Sequence, residues 1–177
     1  MELRQALSKE HGKRNTAFVV DWVGSNQKHF DELIGLLLSN EFMMSQRASW
    51  VVGNCVEVHP ELVKKQLPII IANLHNNKLH DAVKRNTIRL LQFVEISEKL
   101  EGQVLDLCFN YLSHKEESIA VKVLSMIVLT NLVRKYPELK PELILLIEEQ
   151  MQLPSSTPAI LSRGRKALTS LTKNYEQ

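Results

Sequence analysis

The chain has 177 residues, 44% of them apolar and 24% charged, with six glycines and only 6% aromatic residues. That composition is of a folded domain rather than a disordered or fibrous chain, and the scarcity of aromatics and glycine favours helix over sheet. A formal net charge of +2 is too small to name a nucleic-acid partner, although a near-neutral total can hide a local basic stripe.

In chain order, Glu2 to His11 reads as a short helix with Leu3, Ala6 and Leu7 on one side, closed by Gly12. A first hairpin follows, with Phe18, Val19 and Trp22 in a helix over 15–23, Gly24 as its stop and Ser25 as the next N-cap. Its second helix carries Phe30, Leu33, Ile34 and Leu37 at i, i+3, i+4 and i+7, and Ser39-Asn40 closes it. The next hairpin spans 41–58 and 60–74, with Pro60 at a first helical position and Pro68 expected to kink the second helix. Past the Asn76-Asn77 linker, Val83, Thr87, Leu90, Leu91 and Val94 form one helical face. Leu100, Val104, Leu107 and Tyr111 form another after the break at Ser97. The segment 119–133 is apolar almost all round and should be enclosed on most sides. After the turn at Tyr136-Pro137, a helix begins at Pro137 or Pro141 and runs to Met151. The Pro- and Ser-rich loop 153–158 precedes a last amphipathic helix through Ile160, Leu168 and Leu171.

The expected organisation is one all-α domain over 1–177, with hairpins at about 13–40, 41–75, 79–113 and 117–151 and a C-terminal helix at about 159–174. Cys55 and Cys108 lie in apolar periodic segments of different hairpins and read as buried reduced thiols. The charged stretch 1–15 has no apolar core of a leader, and the longest apolar runs, 68–72 and 143–147, are far short of a membrane span. The expected location is cytoplasmic.

The hairpins also share residues. Lys13-Arg14-Asn15-Thr16 recurs as Lys84-Arg85-Asn86-Thr87, and a basic residue recurs at Arg47, Lys122 and Arg165, at intervals of 33, 38, 37 and 43 residues. Pro60-Glu61-Leu62, Pro137-Glu138-Leu139 and Pro141-Glu142-Leu143 echo Asp31-Glu32-Leu33 in the second helices. Hairpins at this interval bury their apolar faces only by stacking. The pattern resembles the HEAT and armadillo-like repeat families from about Lys13 to Lys173. That resemblance implies an α-α superhelix with first helices on the convex side and second helices on the concave side. It also implies a non-enzymatic scaffold that binds proteins, sometimes nucleic acid, and seldom catalyses.

The candidate binding residues follow from this. The ladder Arg14, Arg47, Arg85, Lys122 and Arg165, with Arg89 beside Arg85, could track a polyanion or an acidic partner; equally, its members could make local hydrogen bonds. Trp22 beside Asp21, and Trp50 three residues after Arg47, resemble the Trp, Asp and Arg set of HEAT-like DNA glycosylases, which makes nucleic-acid binding the alternative function. Lys28, Lys64, Lys65, Glu98 and Glu101 are candidate groove residues of mixed sign, fitting a protein partner. Self-association through an uncovered end of the stack is a further expectation. No metal and no cofactor is expected, because the six histidines form no ligand spacing and no phosphate loop or nucleophile elbow is present. Ser155-Ser156-Thr157-Pro158 resembles the signature loop of the adenylosuccinate lyase family, but Ile160 and Ser162 stand where that family has Lys and Asn.

Overall fold

A computed structural model describes residues 2–9, 12–39, 41–76 and 78–173. The expected roles of His11, Asn40 and Asn77, and of 174 as a helix end, fall outside these residues. The described residues form α1 (Leu3–Lys9), α2 (Lys13–Val23), α3 (Gln27–Leu37), α4 (Phe42–Val58), α5 (Leu67–Asn73), α6 (Asp81–Leu90), α7 (Glu98–Ser113), α8 (Ile119–Leu132), α9 (Lys140–Gln152) and α10 (Pro158–Thr172). Short 3-10 turns at Pro60–Val63 and Pro137–Leu139 precede α5 and α9. The chain divides into two compact units between Glu95 and Ile96. The division falls inside the hairpin expected at 79–113, so α6 belongs to the first unit and α7 to the second.

In the first unit, α4 is the central helix, with α1, α2, α3 and α6 packed on it. Its sequence explains this position, since Ala48, Val51, Val52, Cys55 and Val56 form a buried apolar stripe that the small buried residues Ser45, Ser49 and Gly53 widen. The α3 face read from the sequence is the one buried, Phe30, Leu33, Ile34 and Leu37 each being at most 3% exposed. Each such side chain contributes about 1.5–3 kcal/mol by leaving water.

Several helix ends differ from expectation for local reasons. Asn26 rather than Ser25 caps α3, its Oδ1 accepting from the amides of Lys28 and His29 at 3.0 and 3.3 Å. Gly24 does stop α2, at φ +48°, a left-handed angle that glycine adopts without a Cβ penalty. Gly12 instead lies at the start of α2 in ordinary extended backbone. The kink expected at Pro68 is a full break. Chain continuing from Pro60 turns over Lys64 to Gln66, and Pro68 then sits in the first turn of α5, where its missing N–H removes no bond.

In the second unit, α8 packs against α7 and α10, and α9 against α7 and α10. The enclosure expected of α8 is present, with Val121, Met126, Val128, Leu129 and Leu132 buried. Gly164 lets α10 approach α9. A Cβ built there would collide with the Met151 side chain and lie 3.3 Å from Ile147 Cγ2. The Ser- and Pro-rich loop is present over 153–157 and leads into α10, Thr157 capping that helix by accepting from the Ile160 amide at 3.4 Å and Pro158 opening it. Cys55 and Cys108 are both buried free thiols, and burial pushes each up to about 12.

Candidate functional site

In the first unit a depression of about 530 Å³ lies along α2 and α4. Helical spacing builds it. On α2, Lys13, Thr16, Ala17, Val20 and Asp21 follow at i, i+3, i+4, i+7 and i+8, and on α4, Trp50, Asn54, Glu57 and Val58 follow at i, i+4, i+7 and i+8. Val19 and Val23 of α2, and Val51, Val52 and Cys55 of α4, are turned into the core instead. Each helix therefore carries two stripes, one packed and one open.

The open stripe has an apolar floor of Ala17, Val20, Trp50 and Val58, and Val58 is 62% exposed. Its polar edge carries both signs, Lys13 against Asp21 and Glu57. Glu57 is held by Arg89, whose Nη2 donates to Glu57 Oε2 and whose guanidinium lies 5.5 Å from the Phe93 ring centroid. Asn54 Nδ2 donates to the Trp50 carbonyl at 2.6 Å, one turn back along the helix.

The basic ladder has several fates. Arg14 and Arg85 are exposed on α2 and α6. Arg85 lines a smaller depression of about 150 Å³ with Trp50 and Gln46. Arg47 donates from Nη1 to the carbonyls of Leu7 and Ser8 at 2.6 and 2.8 Å, satisfying backbone oxygens in the last turn of α1. In the second unit Lys122 is 5% exposed and donates from Nζ to Gln150 Oε1 at 2.9 Å. Burial lowers its pKa, with Glu117 and Glu116 acting the other way. Arg165 is exposed on α10.

Trp22 stacks on His29, ring centroids 3.7 Å apart, while Trp50 turns into the groove with Asp21. Of the glycosylase-like set, Trp50 and Asp21 thus come together and Arg47 points elsewhere. Lys28, Lys64, Lys65 and Glu98 are exposed. Glu101 is 1% exposed, and its carboxylate accepts from Lys135 Nζ at 2.5 Å and Tyr136 Oη at 2.6 Å. Those two bonds hold it below the usual carboxylate range.

Lys13, Asn54, Glu57 and Val58 were not among the candidate binding residues read from sequence. The signal was the second i, i+4, i+7, i+8 stripe of α4, which the apolar periodicity of its packed stripe obscures.

A family model for the HEAT repeat domain matches residues 3–171. The chain belongs to the HEAT-repeat family. The resemblance read from the hairpin spacing thus holds over nearly the whole length of this HEAT-repeat protein. Neither curated proteins nor solved structures give a match to it. No helix of its described residues is long and apolar enough to cross a membrane.

Proposed function

We propose that this HEAT-repeat protein is a non-enzymatic protein-interaction module that holds a partner segment in the α2/α4 groove. The observation that carries the reading is the open stripe itself, an apolar floor edged by charges of both signs. An amphipathic segment of a protein offers the matching surface, with aliphatic side chains for Trp50, Val20 and Val58 and polar groups for Lys13 and Asp21. A phosphate backbone is a poorer match, because Asp21 and Glu57 present carboxylates to the same space. The commitment of Arg47 to the α1 carbonyls removes one cation from any polyanion track in this unit.

The test is comparative capture from the native host with the wild-type chain and Val58→Glu. This substitution places a charge on the exposed floor without touching the core. Proteins retained by the wild type and lost by the variant, with an unchanged thermal midpoint, are the expected result. The same retained set for both chains would contradict the reading, as would wild-type retention of a labelled DNA duplex in preference to protein.

A further inference from the structure

We propose that the second unit carries a phosphate-binding site between α8 and α10 that takes a phosphorylated side chain of a peptide. Three cations meet at one depression of about 180 Å³ there: Arg134, just beyond α8, and Arg163 and Lys166 of α10. Arg163 and Lys166 are three residues apart, hence neighbours on one helix face. Ile127 and Ala167 contribute an apolar part of the lining, and Ser170 adds a hydroxyl to which Arg134 Nη2 donates at 3.3 Å.

Charge in this region is unbalanced. The sequence has no Asp or Glu over 118–137 or over 150–173, so neither α8 nor α10 supplies a carboxylate. Among the described residues none of the three cations is in an ion pair. Elsewhere the chain does pair its cations, Arg4 with Glu41, Arg89 with Glu57 and Lys135 with Glu101. Like charges gathered without a counter-charge repel each other, and a bound dianion removes that repulsion. Guanidinium forks match phosphate oxygens in pairs, and the lysine adds a third donor.

The three cations of the site surround one depression, and Lys173, on the same face of α10 as Lys166, stands seven residues and about 10 Å beyond it. Lys122, the cation within α8, is buried against Gln150, and Arg165 lies about 200° around the helix from Arg163. A nucleic-acid strand needs successive phosphate contacts, whereas one phosphorylated residue needs a single cluster with an apolar wall for its neighbour. No residue of this site lines the α2/α4 groove.

The experiment is a titration of the isotope-labelled full chain at fixed ionic strength, read by NMR at backbone amides and arginine Nε–H groups. The probes are a blocked phosphoserine tripeptide, its unphosphorylated twin, inorganic phosphate and a short single-stranded oligodeoxynucleotide. The expected result is saturable shifts at 127–134 and 163–170 with the phosphotripeptide and, more weakly, with phosphate, and none with the twin. Arg134→Gln and Arg163→Gln should each weaken binding by about tenfold with the thermal midpoint unchanged. Absence of saturable shifts would overturn the proposal. So would equal binding of the unphosphorylated twin, binding unchanged in both variants, or tighter binding of the oligonucleotide with shifts spread beyond these segments.

Discussion

Asn86 donates from Nδ2 to the Ser49 hydroxyl at 2.9 Å, joining α6 to α4 in a buried position. Asn15, at the same place in the sister Lys-Arg-Asn-Thr string, donates to the Ala6 carbonyl of α1 at 2.9 Å. Thr16 and Thr87 are buried beside them, while Arg14 and Arg85 stay in solvent. The repeated string is therefore a fastening of one helix to an earlier one. Asn86→Ala should cost about 1–2 kcal/mol in urea unfolding. Ser49→Ala should cost a comparable amount, since it removes both this bond and the one the Ser49 hydroxyl donates to the Gln46 carbonyl at 2.7 Å, and leaves the Asn86 amide unpaired. A double-mutant cycle without coupling would mean that the two side chains do not support each other.

Lys122 places an amine in a nearly closed position against a neutral amide. Its folded pKa lies below the unfolded value, so the unfolded chain binds the proton more tightly and stability rises as pH climbs from the folded pKa to about 10.4. Replacing both partners, Lys122→Met with Gln150→Leu, should be neutral or stabilising at pH 7, by analogy with apolar replacement of buried charged pairs. Any advantage should shrink as pH approaches 10. Urea midpoints at pH 7 and 9.5 decide this, and an advantage that grows with pH would reverse the account.

Glu101 behaves in the opposite sense. Lys135 and Tyr136 depress its pKa, so its contribution is present above the unfolded value of about 4.3 and is lost as pH falls through the lower folded value. Glu101→Gln should be less stable than the wild type at pH 7, and the difference should shrink as pH falls below the unfolded value of about 4.3 and through the lower folded one. Thermal melts across that range check it, and a difference independent of pH would show that the ionised carboxylate is not what is stabilising.

Gly164 marks where α10 and α9 approach most tightly among the glycines of the second unit. Gly164→Leu should cost about 1–3 kcal/mol by overpacking against Met151 and Ile147, despite leucine's better helix propensity. Truncating the neighbour, as Met151→Ala, should recover part of that loss. If Gly164→Leu alone left the melting temperature unchanged, the close approach would be wrong.

Much of the fold was legible because its signals are local. The spacing of Phe30, Leu33, Ile34 and Leu37 names a buried face, and Gly24 names a stop, since each depends on residues within a turn or two. The repeat of Lys-Arg-Asn-Thr pointed to a stacked-hairpin family, to which the chain belongs. Side-chain aim was not legible in the same way. Arg47 and Arg14 share a place in the ladder, yet Arg47 turns to the carbonyls of α1 because that helix ends within its reach. Glu101 looked like a surface acid until Lys135 and Tyr136, more than thirty residues on, closed over it. Arg134, Arg163 and Lys166 were missed because the ladder compared one position per hairpin, whereas their cluster draws on two helices distant in sequence.

The central claim, that the α2/α4 groove holds a partner segment, is tested most directly by calorimetry with a partner captured by the wild-type chain and then purified. The account predicts that Val58→Glu weakens binding by about tenfold or more, the cost of burying an unpaired charge in an apolar contact. An affinity unchanged by Val58→Glu would contradict it.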